Sequence, residues 1–210
     1  MKTLDDLAAH LRKVPRKGRR RVIAIVGPPA SGKSTIADAL AAHEENAKVV
    51  PMDGFHLDNP ILTARGLLNR KGAPETFDAR GFLYLIKRLQ TEEEVVFPIF
   101  DRALDRSIAG AGVIDAACDL VIVEGNYLLL DQPVWRDLSP LWDYSVNLRV
   151  PREVLRKRLI QRWASYGYAP ADAALKADGN DMLNADTIVQ NALPCDLVLD
   201  EFEDVSHPKG

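Results

Sequence analysis

The sequence predicts an α/β fold: a parallel sheet of about five strands covered by helices on both faces, with a small strand insertion. Three observations carry this reading. Runs such as residues 22–26 and 120–124 are apolar and β-branched throughout, as strands buried on both faces are. Segments of helical periodicity separate these runs, which points to parallel strands with crossover helices. A turn rich in glycine and proline, Gly27 to Ser34, joins the first run to the first internal helical segment.

The elements follow in order. Residues 3–14 read as an amphipathic helix with Leu4, Leu7, Ala8, Leu11 and Val14 on one face. Thr3 and Asp6 resemble a capping box, and Pro15 and Gly18 end the helix, which falls within residues 1–17. A strand is expected at 22–26, a helix at 33–43 and a second strand at 48–52. A short helix at 58–68 leads to a loop at 69–76 and a helix at 78–90. Residues 95–100 read as an extra strand entering a polar turn. Strands follow at 120–124 and 144–150, and Pro151 is placed to start a long helix that ends at Tyr166. A helix at 185–193 and a strand at 197–199 complete the pattern. No repeat or linker interrupts it, so one domain spans residues 1–210.

Composition narrows the class. The chain has 210 residues, 47% hydrophobic and 27% charged, which suits a globular domain. No apolar run approaches the roughly 18 residues of a membrane span. The first residues lack a secretion signal's apolar core, and Asp5 and Asp6 oppose a transit peptide, so a cytoplasmic location is expected. Cys118 and Cys195 sit beside apolar strands and read as buried thiols. The net charge of −3 hides an asymmetry, because residues 1–21 carry eight Lys/Arg against two Asp. That cluster (Arg12, Lys13, Arg16, Lys17, Arg19, Arg20, Arg21) has no interleaved aromatics, so a nucleic-acid partner is not expected.

The glycine-rich turn fits G-x-x-x-x-G-K-[ST]. Gly27, Pro28, Pro29, Ala30, Ser31 and Gly32 would turn backbone N–H groups toward phosphate oxygens. Lys33 would reach the β- and γ-phosphates, Ser34 would offer a hydroxyl to Mg²⁺, and Thr35 follows in the first helical turn. ATP and Mg²⁺ are therefore the expected cofactors. No Asn-Lys-x-Asp occurs to read guanine, and no Leu-Ser-Gly-Gly-Gln to mark a transporter ATPase. Ligands of open α/β sheets bind beyond the carboxyl ends of the strands. Asp53 and Glu124 end the second and third expected strands beside the phosphate loop. Asp53 reads as the group facing an acceptor hydroxyl, or as a cap of the following helix or of a turn. Glu124 reads as a magnesium ligand, direct or through water, or as a cap of the next turn. Within 151–166, Leu155, Leu159 and Trp163 form the apolar stripe, and Arg158 and Arg162 share a neighbouring face. Trp135, Trp142 and Trp163 read as packing residues.

These motifs resemble the phosphoribulokinase, uridine kinase and bacterial pantothenate kinase superfamily. Asp53 and Phe55 fit its Asp-x-Phe signature, and His56 is similar to the phosphoribulokinase branch. Residues 71–78, KGAPETFD, resemble a pantothenate kinase segment, and Pro98-Ile99-Phe100-Asp101 resembles the uridine kinase Pro-Ile-Tyr-Asp. Glu124-Gly125 matches the Glu-Gly after the third strand. The variant with Glu-Gly-Asn-Tyr-Leu-Leu-Leu and Asn180-Asp181-x-x-Asn184 looks like fructose transport system kinases. Asn180, Asp181 and Asn184 read equally as a helix cap before Ala185.

The resemblance implies a mobile lid at about 151–184, whose Arg158 and Arg162 close on phosphates. It also implies phosphoryl transfer from ATP to a hydroxyl of a small-molecule acceptor, a sugar such as fructose. His56, Lys71, Asp78, Asp101 and Arg102 are the candidate acceptor residues beside Asp53. Uridine kinases place an Asp near Gly72 and a His after Pro-Ile-Tyr-Asp, and this chain has neither. Phe100 and Arg102 stand where pantothenate kinases carry Tyr and His. A nucleoside or pantothenate kinase is thus the alternative, and a nucleotide-sensing module is the alternative of another class. The assembly expected is a monomer or homodimer.

Overall fold

A computed structural model describes residues 3–200. Its first helix, α1 (Leu4–Leu11), opens with the expected capping box: Thr3 Oγ1 accepts from the Asp6 amide, and Asp6 Oδ2 accepts from the Thr3 amide. Strand β1 (Arg21–Val26) runs into the phosphate loop and helix α2 (Lys33–Ala42). Strand β2 (Ala47–Pro51) passes into a single 3₁₀ turn, Met52–Phe55. Helix α3 (Asn59–Ala64) is shorter than the expected 58–68, because Gly66 takes a positive φ and the chain continues as 3₁₀ turns at Leu68–Arg70 and Pro74–Thr76. Helix α4 (Ala79–Thr91) follows.

Strand β3 (Val95–Asp101) is the expected insertion, and it has an unexpected partner. Strand β4 (Arg106–Ile114) pairs with it antiparallel to form a separate two-stranded ribbon, with the register shifting between Phe97 and Ile99. The β4 sequence, RSIAGAGVI, is small and mostly exposed, so it gives little apolar signal. The remaining strands are β5 (Leu120–Gly125), β6 (Tyr144–Arg149) and β7 (Leu197–Asp200). A 3₁₀ stretch at Trp135–Leu141 precedes β6. Helix α5 (Arg152–Ser165) is the arginine helix. Helix α6 (Pro170–Lys176), a π turn (Ala177–Asp181) and helix α7 (Met182–Gln190) then run on without a break. The expected helix start at 185 is therefore corrected to Met182, and no side chain of Asn180, Asp181 or Asn184 caps it.

The main sheet is all parallel, in the order β2-β5-β1-β6-β7. Its central strands are buried on both faces, which explains their continuous apolar sequences. Val22, Ala24 and Val26 pack with Phe82, Ile86 and Trp135 on one face. Ile23 and Ile25 pack with Leu7, Leu11, Ile36 and Leu40 on the other. A third cluster, with Leu155, Leu159, Met182 and Ala185, ties α5 to α7. Trp135 and Trp142 are buried, as expected, and Trp163 is half-buried. Both cysteines are free; Cys118 is buried, but Cys195 is only half-buried.

Within the basic N-terminal cluster Arg20 turns inward, whereas Arg12, Lys13, Arg16, Lys17 and Arg19 stay exposed. Arg20 is 0% exposed, and its guanidinium donates to the carbonyls of Leu89, Glu92, Glu93, Asp115 and Cys118 at 2.8–3.3 Å. Arg21 donates to the Val14 carbonyl, and Lys17 to those of Pro140 and Trp142. Arg12, Arg16 and Arg19 pair with Glu44, Asp119 and Glu93.

Candidate active site

Strand register brings the site together. Glu124 on β5 lies level with Ile25 of β1 and Pro51 of β2. The phosphate loop starts two residues past Ile25, and Asp53 lies two residues past Pro51. All three groups therefore occupy one sheet edge.

Ala30 (φ 62°) and Gly32 (φ 93°) both take left-handed backbone, which curls the loop into a concave set of N–H groups ahead of α2. Glycine suits that conformation at 32, and the non-glycine at 30 carries strain. Ser31 Oγ is buried and has no hydrogen-bond partner among the described residues. A buried hydroxyl without a partner is costly, so this one fits a ligand oxygen. Lys33 is buried at the start of α2, and its Nζ donates to the Pro28 carbonyl at 3.0 Å. Burial pushes its pKa down, while the charges of Glu124 and Asp53 oppose that shift. These residues fit a polyphosphate.

Glu124 is buried, and its pKa is pushed up, first by burial. Lys33 opposes the shift, Asp53 adds to it, and the carboxylate accepts from the Ser34 hydroxyl. Among the described residues no three His, Cys, Asp or Glu side chains gather into a metal cage. Ser34 and Glu124 instead fit Mg²⁺ that takes its remaining ligands from water and nucleotide phosphates.

Asp53 is half-buried in the 3₁₀ turn after β2. The cap of α3 is Asp58, whose Oδ1 accepts from the Asn59 amide, so the cap reading of Asp53 falls. Asp53 Oδ2 instead lies 3.0 Å from Nη2 of Arg102, at the tip of the β3–β4 ribbon. The ribbon rests on the turn itself, since a Cβ at Gly54 would overlap the Pro98 carbonyl. His56 Nδ1 is 2.8 Å from the Asp53 carbonyl, which can only accept, so Nδ1 carries the proton. The ring sits between Phe77 and Phe100, with centroids at 4.0 and 4.6 Å, and burial lowers its pKa. His56 is therefore neutral near pH 7.

The other expected acceptor residues divide. Lys71 Nζ lies over the Phe100 ring and bonds Asn59 Oδ1 (2.7 Å) and the Asp105 carboxylate (2.8 Å). Asp78 caps α4 by accepting from the Gly81 amide. Asp101 accepts from the amides of Ala103 and Leu104 and pins the ribbon turn. The carboxylates of Asp78 and Asp101 thus serve local backbone.

On α5, Arg158 Nη1 reaches the Ala30 carbonyl of the phosphate loop at 3.4 Å. Arg162 Nε meets the Tyr166 hydroxyl at 3.4 Å, and its charge reaches Lys33. Arg152 and Arg156 instead form bidentate pairs with Asp186 and Asp178. Sequence reasoning missed Arg70 and Tyr127. Arg70 Nη1 donates to Asn180 Oδ1 (2.8 Å), and the Tyr127 hydroxyl donates to the Gly72 carbonyl (2.6 Å). A lone arginine beside the KGAPETFD segment carried no pattern that could single it out.

Known proteins show the same architecture. A crystal structure from Silicibacter sp. TM1040, provisionally named a fructose transport system kinase, matches with a TM-score of 0.91 and 48% identity, covering 95% of this chain and all of that one. A Schizosaccharomyces pombe protein, provisionally named a uridine kinase, is 33% identical over 216 residues, covering 94% of this chain and 90% of its own. An uncharacterised Escherichia coli K12 protein, YggC, is 33% identical over 209 residues, covering 97% and 86%. No family model matches. Fold, site and relatives together define the class: a kinase, a phosphotransferase with an alcohol group as acceptor. More narrowly, the chain belongs to the family of P-loop kinases that takes in uridine kinases; it is also similar to pantothenate kinases over about half of their length and shares its fold with phosphoribulokinase.

Proposed function

We propose that this kinase transfers the γ-phosphate of ATP to a hydroxyl of a small metabolite, with a sugar such as fructose the first candidate. Bound ATP and Mg²⁺ would supply the phosphoryl group and neutralise part of its charge. Ser34 and Glu124 would hold the metal, and Lys33 would release the Pro28 carbonyl to meet phosphate oxygens. Asp53 would orient the acceptor hydroxyl and take its proton as the phosphoryl group leaves ATP. Arg158 and Arg162, on a lid formed by about 151–184, would stabilise the charge on the transferring group. Neutral His56, with Lys71 and Arg102, would position the acceptor.

The observation that carries this reading is Asp53 itself. It stands close enough to Lys33 and Glu124 to perturb both, yet its carboxylate is held by Arg102 on the ribbon tip. A protein that only sensed nucleotide would have no use for such an acceptor-side carboxylate. The test is ADP release with Mg-ATP and a panel of sugars, phosphosugars, nucleosides and pantothenate. Acceptor-stimulated turnover with a sugar is expected, and Asp53→Asn should cut kcat about 10²–10⁴-fold while ATP still binds. Stimulation by a nucleoside or pantothenate alone would move the assignment to those kinases. ATP binding with no stimulation by any acceptor would make the protein a sensor.

A further inference from the structure

The Asn180-Asp181-x-x-Asn184 motif has no part in the chemistry above, yet its side chains are all engaged. Asn180 is a two-way bridge. Its Oδ1 accepts from Arg70 Nη1 at 2.8 Å, and its Nδ2 donates to the Lys71 carbonyl at 2.9 Å. Asn184 is 2% exposed, and its Oδ1 accepts from Arg70 Nη2 at 3.4 Å. Asp181, the next residue, accepts from Trp163 Nε1 at 2.6 Å. Trp163 follows Arg162 on α5, the helix whose Arg158 reaches the phosphate loop. Asn180 and Asp181 are the last two residues of the π turn, a geometry frequent at functional sites, and Asn184 lies in the first turn of α7. One short segment thus grips the acceptor loop with one residue and the arginine helix with the next.

We propose that Asn180 and Arg70 are positioning residues that couple order in the acceptor loop at 70–72 to the seating of Arg158 and Arg162 on the phosphates. This rests on the kinase reading above. When the loop holds an acceptor, the Arg70–Asn180 link fixes the π turn, Asp181 holds Trp163, and α5 presents its arginines. The link favours transfer to the acceptor over transfer to water, in which water takes the γ-phosphoryl group and leaves ADP and phosphate.

The test compares two rates in Asn180→Ala and Arg70→Met: acceptor phosphorylation, and ATP hydrolysis with no acceptor present. Each variant should lower kcat for transfer about 10–100-fold. KM for ATP should stay within about two-fold, and acceptor-free hydrolysis should not fall. The double variant should be no worse than either single one, because both break the same link. Equal loss of transfer and hydrolysis would reduce the link to a structural role and overturn the proposal. A second measurement needs no acceptor: hydrogen exchange of residues 177–190 with a non-hydrolysable ATP analogue bound. Arg70→Met should speed exchange there at least ten-fold, and unchanged exchange would overturn the coupling even if no acceptor is found. Failure of the kinase reading would show separately, as wild-type protein that no acceptor stimulates.

Discussion

The chain has two arginine-rich stretches, and they do opposite things with the same side chain. Residues 12–21 look like a basic patch in the sequence, and in the fold they divide: Arg20 is buried, while Arg12, Arg16 and Arg19 form exposed ion pairs. Arg20 has left the surface entirely and solvates five backbone carbonyls around the end of α4 and the turn before β5. Along α5 the arginines are sorted by face. Arg152 and Arg156 are neutralised by Asp186 and Asp178, whereas Arg158 and Arg162 point their charge toward the phosphate loop and Lys33. A run of cations therefore does not by itself announce an anionic partner. What matters is whether each guanidinium fork already has acceptors.

That contrast can be broken or sharpened by substitution. The largest effect is expected from Arg158→Ala with Arg162→Ala, which should lower kcat about 10³-fold while melting moves by less than about 3 °C. Turnover and thermal melting of the same preparation would show whether the two effects separate. Arg20→Met should do the reverse. Removing the fork takes the donor from five carbonyls, two of them in buried and three in part-buried bonds, and stability should fall by about 4 kcal/mol, or roughly 10 °C, with turnover per folded molecule unchanged. Denaturant titration checks it, and a loss of under about 1 kcal/mol would mean the carbonyls find water instead.

A subtler effect concerns pH. Burial raises the Glu124 pKa, so its protonated form is favoured in the folded chain. As pH falls through that raised value, Glu124 loses the charge that would hold Mg²⁺, so the acid limb of turnover should lie above the ordinary carboxylate range. The same shift contributes stability at low pH that is lost as pH rises through it, so activity and this part of stability run in opposite directions. A pH–rate profile at several Mg²⁺ concentrations tests this, and an acid limb insensitive to Mg²⁺ would refute it. The smallest effect belongs to Arg156→Gln, on an exposed pair with Asp178. It should change turnover less than two-fold and melting by less than about 2 °C. A large loss of turnover there would put Arg156 with Arg158 and Arg162.

The sequence made local features legible and hid distant ones. The phosphate loop, the central strands and the Thr3 box are set by neighbouring residues, and each forms where expected. Strand β4 escaped because small, solvent-facing residues carry no burial signal. Helix α6 is one short segment after a Gly167 turn, with little periodicity to read. The Arg70–Asn180 bond joins residues 110 apart, and no local pattern encodes it. Asp53 was legible as a strand-end carboxylate, but Arg102 as its partner depends on how the ribbon folds back, which turn propensity does not determine. Asp78 and Asp101 show the same limit: the sequence did not reveal that one caps α4 and the other pins the ribbon turn.

The seam between Gly54 and Pro98 has one more implication. The ribbon's backbone is pressed directly onto the turn that carries Asp53, and residues 102–105 form the turn beyond the seam. The turn is tied down by Arg102 to Asp53, by Asp101 to the Ala103 and Leu104 amides and by Asp105 to Asn59 and Lys71, so exchanging it should change the acceptor's surroundings and the carboxylate's partner together. One short turn is in this way tied both to the strand-end carboxylate and to the lysine proposed to position the acceptor, so a change there reaches both at once.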